Sequence, residues 1–336
     1  MSYGENGSVV GPQNLPTDSV ASGVWSLGEM TEAQRDGTWP NPYFGAGYFA
    51  GGVNNTADLS SVDKFAFTAD IRTTLGTGLS SARYGGSSFA NSGTAGYCGG
   101  GTGSAVYSTV DKFAFPNDSR TTLSAGLSIA SYYNTGFANS GTAGYAAGLS
   151  NPTNSGNTVD KFAFPSDSRT TLSTGLSANI SQAGGMANSG TAGYVCGGDT
   201  GGGSPQTTVD KFAFPGDSRS TLGYGLSTAS RMVGAFANSG TAGYVGGGHN
   251  LLRGIDKFAF PTDSRTTLSA QLTPIGAYGL AGMADSGTAG YFGGGVTTTI
   301  VSTVDKIAFA GDTKSTLATG LSVVKYFLNG FADGNV

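Results

Sequence analysis

Short runs of alternating apolar and polar residues recur along the chain at a nearly fixed spacing. Val-Asp-Lys-Phe-Ala-Phe, with close variants in the last two copies, occurs six times, its Asp at residues 63, 111, 160, 210, 256 and 305, at intervals of 48, 49, 50, 46 and 49. A two-residue period rich in aromatics predicts a strand, and the Pro-Asn-Asp-Ser that follows in the copy at 108–123 predicts a turn into a second strand. Upstream, Phe-Ala-Asn-Ser-Gly-Thr-Ala-Gly-Tyr, as at 89–97, predicts a hairpin turning on Ser-Gly. Each unit therefore reads as four antiparallel strands, A to D, with a glycine run such as 99–101 closing strand B. Units of about fifty residues that cannot bury an apolar face alone stack around an axis.

The chain enters the pattern out of phase. Its first repeat element, residues 45–52, is a B strand, and its last, residues 330–334, is an A strand. Pairing them completes one blade and leaves no open edge. The expected fold is all-β: a six-bladed β-propeller over 45–336, closed by pairing of the terminal strands, with a short N-terminal extension over 1–44.

The order Gly-Tyr-x-x-Gly-Gly, then an aromatic strand ending in Pro-x-Asp, then a short polar strand, resembles the kelch repeat over 45–336. It departs from that pattern in the last strand, where Thr-Thr-Leu or Ser-Thr-Leu stands in place of the Trp the family carries. Near-verbatim blades rich in Gly, Ser and Thr also resemble virion structural and tail-fibre proteins of tailed bacteriophages, marine ones especially. Ala21 to Glu29 and 37–40 look like a short element found in such virion proteins. That resemblance implies a docking segment that joins other virion proteins through Trp25, Leu27, Met30 and Trp39. A short helix is expected around 27–35, with Ser26 and Glu29 spaced as a capping box.

Composition narrows the function. The 336 residues include 58 glycines and only 11 % charged residues, with a net charge of −4. No basic stripe is available for a phosphate backbone, so nucleic acid is not an expected partner. No apolar run reaches the ~20 residues that span a bilayer, so membrane insertion is not expected, and no secretory signal pattern opens the chain. Cys98 and Cys196, two blades apart, are expected as separate packed thiols. The expected location is the virion, after assembly in the host cytoplasm.

Charge is used in fixed places. Four positions per unit, the Asp-Lys pair, a turn Asp (70, 118, 167, 217, 263, 312) and the Arg or Lys two residues later, hold 24 of the 38 charged residues. No Asp-rich calcium loop accompanies them, so turn capping and ion pairing within or between blades is the expected role. A single histidine, His249, cannot build a His-based metal site or serve a serine nucleophile in each blade. No cofactor, metal or enzymatic activity is expected.

Within the chain, the A–B and C–D turns hardly vary from copy to copy, whereas the B–C loops and D–A connections do. In this strand order the two variable sets emerge on the same face. Loops on a rigid scaffold are where recognition sits, and Tyr and Arg anchor interfaces. The expected contact residues for a host cell-surface protein or glycan are Arg83, Tyr84, Tyr107, Tyr132, Tyr133, Arg231, His249, Arg253, Tyr278 and Tyr326. Drift of unconstrained loops would produce the same variability. No heptad or stalk fixes an oligomeric state, and a homo-oligomer is compatible with the sequence.

Overall fold

The computed structural model describes residues 45–149, 155–250, 252–273 and 277–334. The segment 1–44, with Trp25, Leu27, Met30, Trp39 and the expected helix, lies outside them. The described residues form six four-stranded antiparallel sheets and no helix. Blade 1 is built from both ends of the repeat region: strand A is Asn329–Asp333, B is Ala46–Ala50, C is Val62–Ala66 and D is Ile71–Thr74. Tyr48 pairs with Phe331 across that closure. Blade 2 runs in order through Ser87–Asn91, Ala95–Gly99, Val110–Ala114 and Ser119–Thr122, and blades 3 to 6 repeat the plan, as the periodicity predicts.

Strand polarity follows depth in the disc. Strands B are buried along their whole length, strands C alternate, and strands D read exposed, half-buried, exposed, exposed. That gradient explains why Thr and Arg suffice in strand D, where the outer edge faces water. Between blades, the large apolar residue of each strand A lies on the glycine of the next Ala-Gly-Tyr. A Cβ on Gly96 would overlap the Phe331 ring, one on Gly144 the Phe89 ring, and one on Gly243 the Met186 thioether. The glycine is therefore required by close approach rather than by its φ.

The repeated charges tie neighbouring blades together. Each Gly-Tyr hydroxyl and each Asp-Lys ammonium donate to the turn Asp of the next blade: Tyr97 Oη and Lys112 Nζ reach Asp167 at 2.7 and 2.6 Å. The series closes on itself, since Tyr291 and Lys306 in blade 6 reach Asp70 in blade 1 at 2.8 and 2.7 Å. Each ammonium also lies over the tyrosine ring, 5.4 Å from its centroid for Lys112. Burial, then the hydrogen bond to Asp167, raises the Tyr97 hydroxyl far above its ordinary value. The turn Asp residues adopt positive φ, 59° at Asp118, a conformation Asp tolerates better than most residues.

The Asp of the Val-Asp-Lys repeat has a second task. Its Oδ1 accepts from the strand-D threonine and its Oδ2 from a backbone N–H in the preceding D–A connection, as Asp160 does with Thr171 and Ser128, both at 2.6 Å. Ion pairing and turn capping within and between blades is thus what the repeated charges do. Cys98 and Cys196 are buried free thiols, and burial pushes Cys98 up to about 12.

Candidate functional site

Strands A line a central channel of about 260 Å³ with small side chains. The chain enters each strand A through a residue with positive φ: Phe327, Gly85, Tyr133, Gln182, Met232 and Gly279, for blades 1 to 6 in turn. These six form a closed ring of backbone hydrogen bonds. The N–H of each donates to the carbonyl of the preceding blade's residue, and Gly85 N closes on Phe327 O, at 2.5–2.8 Å throughout. The ring marks the channel mouth on the variable face.

Directly before each ring residue stands Tyr326, Tyr84, Tyr132, Ser181, Arg231 or Tyr278. In four blades this residue bridges to the same blade's B–C loop: Tyr326 with Val53, Tyr84 with Thr102, Ser181 with Asp199, and Tyr278 with Val296. The B–C loops and D–A connections therefore share one face, as the strand order predicts.

The mouth has two unlike halves. Across blades 1 to 3, five aromatics form one cluster: Tyr133 to Phe327 at 4.8 Å between centroids, Tyr84 to Phe327 at 6.1 Å, Tyr132 to Tyr133 at 4.8 Å, and Tyr326 to Phe327 at 4.8 Å. Tyr133 lies over Gly85 and Phe327 over Gly279, where any Cβ would press into the aromatic ring. Burial raises the Tyr133 hydroxyl, and burial followed by the negative charge of Asp58 raises that of Tyr84. Across blades 4 and 5 the mouth carries polar groups beside the Met232 side chain. Gln182 belongs to the ring, and Arg231 is ion-paired with Asp199. Burial alone would raise the Asp199 carboxyl, but the Gly201 N–H and the Arg231 guanidinium hold it below its ordinary value. Arg231, Met232, His249, Asn250 and Tyr278 line a shallow depression beside it, with His249 and Tyr278 rings 6.3 Å apart.

Of the expected contact residues, Tyr84, Tyr132, Tyr133 and Tyr326 come together in the aromatic half, and Arg231, His249 and Tyr278 in the second group. Arg253 stands apart, its Nε donating to Leu272 O at 3.3 Å. Arg83 is a correction. Its side chain is 0 % exposed and pairs with Asp111 at 2.9 Å, so it is a core ion pair and not a contact residue. Tyr107 covers it, with the guanidinium 5.8 Å from the ring centroid, and thus serves as a lid on that pair. Lys325 occupies the equivalent position one blade earlier and pairs with Asp63 at 3.1 Å, also fully buried. Sequence reasoning missed Phe327 and Gln182. The signal was an alternation, at one position of the repeat, between Gly and large side chains.

Among the described residues no group of three His, Cys, Asp or Glu side chains could hold a metal ion. What the site offers chemically is aromatic area, the side-chain amides of Gln182, Asn134 and Asn329, and balanced charge.

This geometry defines the protein as a six-bladed β-propeller with an asymmetric channel mouth. No family model and no curated protein matches the sequence. Among solved structures the chain is similar to that titled "Structure of YjhT", also a propeller, with a TM-score of 0.63 and 14 % identity over 83 % of this chain and 98 % of that one. Likeness at that identity shows the fold alone.

Proposed function

We propose that this chain is a non-enzymatic virion component of a tailed phage, a tail fibre, appendage or surface decoration, that binds a host cell-surface protein or glycan through its variable face. The observation that carries the reading is the aromatic cluster at the mouth. Ring closure there is made by backbone groups, so Tyr84, Tyr132, Tyr133 and Phe327 are not needed to hold the blades together. Four of the six ring residues are large and non-glycine, each in a conformation that costs roughly 1–3 kcal/mol, while Gly85 and Gly279 fill the same role without that cost. Backbone strain of this kind clusters at ligand-binding and active sites. The virion assignment rests on the resemblance of the repetitive Gly/Ser/Thr-rich blades and of residues 21–40 to phage structural proteins.

The test is electron microscopy of phage particles labelled with an antibody against residues 45–336. Label on tail appendages is expected, together with loss of host adsorption when the B–C loops and D–A connections are exchanged between blades. No label on intact particles overturns the virion reading. Label with unaltered adsorption after loop exchange leaves the disc as a spacer.

A further inference from the structure

We infer that the channel mouth binds the terminal residue of a neutral saccharide, its C–H face against Tyr133 and Phe327 and its hydroxyls toward the Gln182 carboxamide. This deepens the display reading and rests on it. Three observations carry it.

The aromatic half matches the apolar face of a pyranose. Tyr133 and Phe327 are both half-buried and packed ring against ring, 4.8 Å between centroids, so little side-chain freedom remains to be lost on binding. Their positions over Gly85 and Gly279 fix them further.

The polar half holds an unmet hydrogen-bonding group. Gln182 Oε1 is buried without a partner. A buried acceptor left unpaired is unfavourable, and rotation of the side chain toward a hydroxyl donor relieves it. A sugar supplies such donors around an apolar face.

Charge selects the neutral class. The cations near the mouth are already matched: Arg231 by Asp199, and Arg83 and Lys325, out of reach below the surface, by Asp111 and Asp63. An acidic sugar would find no uncompensated cation there and would meet the negative charge of Asp58 near Tyr84. A protein partner would instead draw on area across the whole face rather than on the mouth.

The experiment is saturation-transfer NMR of the full chain at neutral pH with the methyl pyranosides of glucose, galactose and mannose, and with the methyl glycoside of galacturonate, its carboxylate ionised, as the charged control. Saturation is expected on the C–H face protons of at least one neutral glycoside and not on the acid. Tyr133→Gly and Phe327→Gly, which copy the residue blades 2 and 6 already use, should each weaken binding about tenfold. Gln182→Met should abolish the signal without lowering the melting temperature, because it removes an unpaired buried amide; a purely structural glutamine would not separate the two readouts. The proposal is overturned by silence from all three neutral glycosides, by preference for the acid, or by unchanged affinity in Tyr133→Gly and Gln182→Met. Failure here with labelled, adsorbing particles leaves the display reading standing. Sugar binding by a protein that labels no particle does the reverse.

Discussion

The two faces of the disc are closed by different chemistry. On the A–B turn face, side chains do the work. The Ser140 Oγ accepts from Ser92 N and the Asn91 Oδ1 from Gly141 N, at 3.0 and 2.8 Å, and the same pair of bonds passes from blade to blade through Ser189, Ser239 and Ser286. Between blades 1 and 2 Ser92 donates to Gly334 O and Gly93 N to Asp333 Oδ1, so the series reaches from blade 1 through blade 6 among the described residues. On the mouth face the equivalent ring is backbone to backbone. A ring made by side chains constrains sequence, and one made by the main chain does not. Asn-Ser-Gly therefore recurs almost unchanged, while the residues at the mouth range from Gly to Phe. Variability at the mouth is thus permitted by the fold. What calls for a function is the kind of residue found there.

The comparison breaks at one place, and the largest effect is expected there. In blades 1 and 2 the mouth face also relies on side chains, because Lys325 and Arg83 sit buried on Asp63 and Asp111. Asp111→Ala would leave a fully buried guanidinium without its partner and should destabilise the protein by about 3–5 kcal/mol in urea unfolding. Asp210→Ala, the same repeat position in blade 4, where Ile180 stands at the place Arg83 holds in blade 2, should cost clearly less. Equal losses would mean that the ion pair adds nothing.

On the opposite face, Asp167→Ala removes the acceptor for both Tyr97 and Lys112 and should cost about 2–3 kcal/mol, with similar values at Asp118 or Asp217. Tyr97→Phe leaves the Lys112 bond intact and should cost about 1.5 kcal/mol. By contrast, Tyr84→Phe and Tyr132→Ser at the mouth should change stability by no more than about 0.5 kcal/mol. Mouth variants as damaging as Asp167→Ala would show that the aromatic cluster is part of the scaffold.

The tyrosine ring also makes a pH prediction. Burial, then the bond to Asp, raises the hydroxyls of Tyr97, Tyr145, Tyr194, Tyr244 and Tyr291. Above the ordinary tyrosine value of about 10, the unfolded chain loses these protons while the native state keeps them. The stabilisation is complete below that pH and is lost as pH rises beyond it. Melting temperature measured from pH 8 to 11 should fall in the upper part of that range, and Tyr97→Phe should make the fall shallower.

Much of the architecture is written in the chain. Six copies of one alternating unit, entered at strand B and left at strand A, fix blade number, strand order and the closing pair, because a two-residue period and a fifty-residue repeat have few other packings. The same copies place the turn Asp and the Asp-Lys pair where ion pairing follows. The sequence alone did not separate Arg83 from Arg231, since both stand in variable D–A connections and differ there by one position relative to the ring residue. Only the fold shows that one side chain turns inward beneath Tyr107 to meet Asp111 and the other lies at the surface beside Asp199. Nor could it single out Phe327 and Gln182. Their importance comes from facing residues of other blades across a shared axis, as Phe327 faces Tyr84 and Tyr133, and side-chain direction across an axis is decided by how the blades close, not by the order of residues within any one of them.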